Sequence, residues 1–155
     1  AAAAAAARTR PEAQRAARRA TFFEPYHAAI AAVLDGRGNV PTLFLSVHSF
    51  TPELDGTPRP WPVGICSYRV PTLARALQDA LRAAGVEPVG VDQPYAIEAA
   101  YDHGVPVHGE GRGLPSAMVE LRQDELRTAA GVERWTRQIA EACDRAREAL
   151  LGPGA

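Results

Sequence analysis

The sequence predicts an α/β protein: a sheet with helices laid on it. Three observations carry that prediction. Read by periodicity and turn residues, the elements follow the order helix, strand, strand, helix, strand, long loop, strand, helix. The run Leu43–Val47 is unbroken in apolar residues except for Ser46, the pattern of a strand covered on both faces as in a parallel sheet. Two later segments place apolar residues three and four positions apart, as amphipathic helices do.

Taken in order, Thr9 to Leu34 reads as helix. Pro11 suits a first-turn position, and Phe23, Tyr26, His27, Ile30, Val33 and Leu34 form the stripe. Pro25 has no N–H to donate and should kink or divide that helix. Asp35-Gly36-Arg37-Gly38-Asn39 reads as its stop. Thr42 to Val47 is the first strand, ending next to His48. Residues 51–62 contain four prolines and one glycine and read as an irregular loop. Val63 to Tyr68 is the second strand. Pro71 opens a helix with Leu73, Leu77, Ala80 and Leu81 on one face, closed by Gly85. Val86 to Val91 is the third strand, weakened at its start by Pro88. Residues 92–115, rich in glycine and proline, read as a long working loop or lid. Ser116 to Leu121 is the fourth strand. After Gly131 a final helix carries Val132, Trp135, Ile139, Ala142, Cys143, Ala146 and Leu150, and ends at Gly152-Pro153-Gly154.

With 155 residues the chain suits one domain and buries a substantial core. A net charge of −1 gives no general pull toward nucleic acid or anionic membrane. All 17 basic residues are arginines. Schiff-base or general-base chemistry on lysine is therefore excluded, and any cationic grip on a substrate falls to guanidinium groups, which hold carboxylates in bidentate fashion. Cys66 and Cys143 match no zinc or redox spacing and read as reduced thiols of a cytoplasmic protein. No apolar run reaches membrane-spanning length, and no signal peptide is visible. The opening seven alanines are assigned no role.

In open α/β sheets ligands sit beyond the carboxyl ends of strands. His48, the Asp92–Tyr95 segment, and Glu120 with Arg122 all fall there. In "MVELRQD" a period of two sets Glu120 and Arg122 on one side and Val119 and Leu121 on the other. Two charges on one side of an apolar strand are costly unless they pair or face a cleft, so they read either as a structural ion pair or as a working pair. His48 reads as a metal ligand, a catalytic base or a satisfied core residue. His27 lies on the apolar helix face. His103 and His108 lie in the glycine-rich loop, where His108 is the better candidate. The glycines at 104, 109, 111 and 113 lack a lysine and a strand–glycine–helix context, which excludes a P-loop phosphate cradle.

A run of motifs in one order resembles the N-formylglutamate amidohydrolase family: "FFEPYHAAI" at 22–30, "VHSFTPELDGTPRPWPVGI" at 47–65, "QPYAI" at 93–97, "VPVHGEGRGLPSAMVELRQDEL" at 105–126, then a helix bearing Trp135. The resemblance spans about residue 10 to residue 150. It implies a three-layer α/β/α fold with a mostly parallel central sheet, like that of zinc exopeptidases and aspartoacylases. It also implies zinc-assisted hydrolysis of N-formylglutamate or a related N-acyl amino acid, releasing formate or another carboxylate. His48 matches a zinc ligand and Glu120 the general base and acid. Arg59, Arg112, Arg122, His108 and Tyr95 are the expected substrate-binding residues. The family's early histidine-plus-acid motif is absent from these residues. Residues 1–155 are therefore expected to form the C-terminal portion of a longer amidohydrolase domain, with the other zinc ligands upstream. Pro62 stands where many members have histidine, and Asp92 where asparagine is usual. Two other readings compete: a non-catalytic module that binds carboxylates through Arg59, Arg112 and Arg122, and a self-contained metal site of His48, His103 and His108.

Overall fold

The computed structural model describes residues 12 to 152. They divide into two compact units between Asn39 and Val40.

The first unit is helical. α1, Glu12–Arg18, passes through a wider π segment, Arg19–Phe23, into α2, Glu24–Gly36. The expected start of this helix, with Thr9 and Pro11, lies outside the described residues. The expected division is present, because Pro25 sits in the first turn of α2 directly after the π segment. Phe23, His27, Ile30 and Leu34 form one half-buried line, whereas Tyr26 and Val33 are exposed. The three-residue step to each rotates them roughly 60–80° off that line. The helix stops where predicted: Arg37 and Gly38 donate to the carbonyls of Leu34 and Asp35, and Gly38 has φ +53°.

The second unit contains β1 (Phe44–Phe50), β2 (Glu53–Leu54), β3 (Thr57–Pro58), β4 (Val63–Cys66), α3 (Thr72–Ala83), β5 (Val89–Val91), β6 (Ser116–Arg122) and α4 (Ala129–Leu151). Its four-stranded sheet has the order β1-β6-β4-β5. β1 runs parallel to β6 and β4 parallel to β5, while β4 and β6 are antiparallel. The α/β class with a mostly parallel central sheet is therefore present.

Several expectations change. β1 extends through Phe50, so His48 lies within the strand and not just beyond its end. β1 is also an edge strand among the described residues, and Val47 is 58% exposed. An apolar run records strand propensity but not which neighbours arrive to cover it. The loop 51–62 contains the β2–β3 hairpin, turning at Asp55-Gly56 with φ 50° and 78°. Asp-Gly is the residue pair that such a turn favours, a signal outweighed by the surrounding prolines. The third strand shortens to Val89–Val91. The long loop contains a π turn, Gly104–Gly109, and a 3-10 turn, Glu110–Arg112. α4 begins at Ala129, where the Thr128 hydroxyl accepts from the Gly131 N–H at 3.0 Å, and Val132 is exposed.

The two faces of the sheet differ. Val63, Ile65, Val89, Ala117, Val119 and Leu121 pack with Leu73, Leu77 and Leu81 of α3 and Trp135, Ala142 and Ala146 of α4. Each large aliphatic side chain buried there stabilises the fold by about 1.5–3 kcal/mol. The opposite face carries a smaller apolar group of Cys66, Ile97, Val105 and Met118, with Phe44 and Tyr68 against it. Ile97 and Val105 of the long loop belong to this group.

Candidate active site

The candidate site lies on the loop-covered face. Glu120 on β6 is paired with His48 on β1 and with Gly64 on β4. Residues in register across neighbouring strands point to the same side, so the three share that face. β6 alternates as expected, sending Val119 and Leu121 to the helices and Glu120 away from them. Glu120 is only 1% exposed. A carboxylate so deeply buried needs partners or a function to offset its desolvation.

One partner arrives on a strap that follows β5. Asp92 turns the chain with φ 49°, and its N–H donates to the Ile65 carbonyl at 3.1 Å. Its Oδ1 accepts from the Ser67 N–H at 2.8 Å and the Ser67 hydroxyl at 3.2 Å. An asparagine amide oxygen would accept from the same two groups, so this departure from the usual residue keeps the anchor. The Cys66 thiol donates to the Gln93 carbonyl at 3.3 Å. The strap then crosses the sheet over two glycines. A Cβ on Gly64 would stand 1.8 Å from the Gln93 oxygen, and one on Gly90 2.8 Å from the Gln93 Cβ. At the far side the Tyr95 hydroxyl donates to Glu120 Oε1 at 2.7 Å. Glu120 Oε2 is buried and has no hydrogen-bond partner among the described residues.

Burial pushes the Glu120 carboxyl up and Asp102 adds to the rise, against the Tyr95 hydrogen bond, His48 and Arg59, which favour the anion. Burial and the bond to Glu120 also raise Tyr95, so the phenol keeps its proton and acts as the donor. The Cys66 thiol, buried beside the same carboxylate, is pushed up to about 12 and is no nucleophile at neutral pH. Cys66 and Cys143 are both free thiols.

His48 is exposed, and its Nε2 lies 2.8 Å from the Ser46 hydroxyl on the same strand. Ser46 is also approached by the π turn: a Cβ on Gly104 would be 3.2 Å from its Oγ. His108 is buried, its ring 6.2 Å from Phe44 and 5.5 Å from His103. Burial holds the His108 imidazole below its usual range, with His103 and Arg112 acting in the same direction. The long loop therefore folds back over β1, and Glu110 ties it down by accepting from the N–H groups of Arg69 and Val70 at 2.8 and 2.9 Å.

The arginines separate. Arg59 is half-buried, its guanidinium 5.7 Å from the Phe50 ring, and its charge acts on both Glu120 and Tyr95. Arg112 is exposed at the end of its 3-10 turn. Arg122 does not pair with Glu120. Its Nε and Nη2 donate to Asp124 and Glu125 at 2.7 and 3.1 Å. Its Nη1 donates to the carbonyls of Arg59 and Pro60 at 3.2 and 3.0 Å. Arg122 thus braces the segment that carries Arg59. Sequence reasoning singled out Tyr95, His48 and Glu120 but not Gly64, Gly90 or Ser46. Isolated glycines inside "VGI" and "VGV" were the available signal of close backbone approach.

The sequence model of the N-formylglutamate amidohydrolase family matches residues 2–127, a span that includes every residue of this site. The fold is similar to the crystal structure of a gene product from Agrobacterium tumefaciens, with a TM-score of 0.74 and 25% identity. The match covers 88% of this chain and 56% of the other, so the chain spans little more than half that protein's length. No curated protein matches the sequence. No helix among the described residues is long and apolar enough to cross a membrane.

Proposed function

The chain belongs to the N-formylglutamate amidohydrolase family, and from that premise we propose that it supplies the proton-transfer half of a zinc-dependent amidohydrolase site. The single observation that carries this reading is the buried Glu120, held by Tyr95 through one oxygen, with the other oxygen unpartnered among the described residues and His48 beside it in register. The substrate is N-formylglutamate or a related N-acyl amino acid, hydrolysed to the free amino acid and formate or another carboxylate. The whole enzyme is a three-layer α/β/α domain of the zinc-exopeptidase type.

The donor chemistry fits a zinc site in part. One His48 ring nitrogen is held by a hydroxyl, the kind of outer contact that orients a ligating imidazole. His48 is proposed as one zinc ligand. When bound, zinc lowers the pKa of a water to about 7 and polarises the scissile carbonyl. Glu120 would accept a proton from the attacking water as the water oxygen bonds to the carbonyl carbon. It then delivers that proton to the departing nitrogen as the C–N bond breaks. Arg59 and Arg112 are proposed to hold the substrate carboxylates together with His108, and Arg122 braces the backbone of Arg59. The full-length, zinc-loaded protein should release formate from N-formylglutamate, measured by a coupled formate assay, and lose that activity on chelation. No hydrolysis of any N-acyl acidic amino acid would leave the carboxylate-binding module as the surviving reading.

A further inference from the structure

We infer that Tyr95 is a positioning residue that selects which oxygen of Glu120 does the chemistry, and that the glycine-floored strap is the device that sets it. The inference rests on the reading of Glu120 as proton acceptor but goes beyond it. A free carboxylate rotates and offers either oxygen. Here the 2.7 Å bond from the Tyr95 hydroxyl ties down Oε1, and the buried Oε2 is left for a water proton. One hydrogen bond does both jobs: it offsets part of the cost of burying the carboxylate, and it breaks the equivalence of the two oxygens.

The strap explains how a tyrosine in the loop after β5 reaches Glu120. β5 is antiparallel to β6 and the register Gly90–Gly64–Glu120 sets Glu120 level with the middle of β5, so the chain has passed Glu120 by two residues when it leaves the strand at Asp92. The chain must run back across the sheet surface within a few residues. It does so by lying in contact with the backbone at Gly64 and Gly90, where any side chain would occupy the space of Gln93. Asp92 and Cys66 hold its near end through Ser67 and the Gln93 carbonyl. Gly64 is also the register partner of Glu120, so the position that must lack a side chain is the one beside the carboxylate.

The test is steady-state kinetics on the full-length, zinc-loaded enzyme, with L-glutamate binding by calorimetry as a readout independent of turnover. Tyr95→Phe is expected to lower kcat about 10- to 100-fold while KM and the L-glutamate Kd stay within about twofold of wild type. Gly64→Ala, which displaces the strap, is expected to lower kcat by a similar factor. The double variant should lose no more than the worse single variant, since both remove one interaction. A rise in KM or Kd with kcat unchanged in Tyr95→Phe would overturn the inference, because Tyr95 would then be holding substrate. Losses that multiply in the double variant would also overturn it. If melting curves show Gly64→Ala unfolded, the kcat-against-KM split in Tyr95→Phe decides alone. Glu120→Gln separates the two readings: wild-type turnover there removes the proton acceptor itself, whereas an inactive Glu120→Gln beside an unimpaired Tyr95→Phe removes only the positioning role.

Discussion

The two sides of β6 place neighbouring residues of one strand in opposite circumstances. Ala117, Val119 and Leu121 meet α3 and α4 in a continuous apolar layer. Met118 and Glu120 meet a loop assembled from turns, a π segment and a strap, and Arg122 meets the carbonyls of Arg59 and Pro60. On the first side stability comes from area removed from water, and many apolar side chains would serve. On the second it comes from individual hydrogen bonds, each with a named donor and acceptor. The helix-covered side tolerates change in detail but not in volume. The loop-covered side tolerates little change in chemistry, because Glu120 is buried whether or not its partners are present.

That contrast breaks most sharply at Glu120. Replacing it with Gln in the full-length enzyme should lower kcat by about 10²- to 10⁴-fold, with a melting temperature no lower than wild type, since a buried acid becomes a neutral isostere. Leu77→Ala, on the other side, should cost about 2–5 kcal/mol in urea unfolding yet leave the activity per folded molecule unchanged. Arg122→Ala should cost about 1.5–3 kcal/mol through lost charged hydrogen bonds, and Arg122→Lys should recover little of it. An ammonium group has no planar fork with which to reach two carboxylates and two carbonyls together. The smallest effect is on acid sensitivity. Arg122 holds the Asp124 carboxyl below its ordinary value of 3.8, first by hydrogen bond and then by charge. A depressed carboxyl contributes stability above its unfolded value and loses it as pH falls through the folded one. Melting temperatures measured between pH 5 and pH 2, roughly bracketing the carboxylate range, should therefore fall less steeply in Arg122→Ala than in wild type.

How much of this was legible depends on the range of the interaction. The helix faces of α3 and α4 were readable, because Leu73, Leu77, Leu81 and Trp135 recur at the helical step and any partner will do for an apolar stripe. The alternation at Val119, Glu120 and Leu121 was readable for the same reason, and so was Gly38 as a helix stop. The β2–β3 hairpin was missed although Asp55-Gly56 announced it, since the prolines around it argued for disorder of pattern. The edge position of β1 was not readable. A strand's own residues do not state whether a neighbour lies on each side. Arg122 was grouped with Glu120 by its spacing, but its guanidinium turns to Asp124, Glu125 and two carbonyls more than sixty residues earlier in the chain.

The family of this chain, its α/β class and the side of β6 on which a carboxylate would lie were determined by the sequence alone, because motif order, apolar periodicity and the two-residue repeat of a strand are local properties. Which group meets that carboxylate was decided only in three dimensions. Tyr95 and Glu120 stand 25 positions apart, and the contact depends on an antiparallel step between β4 and β6, a reversal at Asp92 and the absence of a side chain at Gly64. Each of these is a steric outcome of strands packing against one another, and none is a preference carried by the residues themselves.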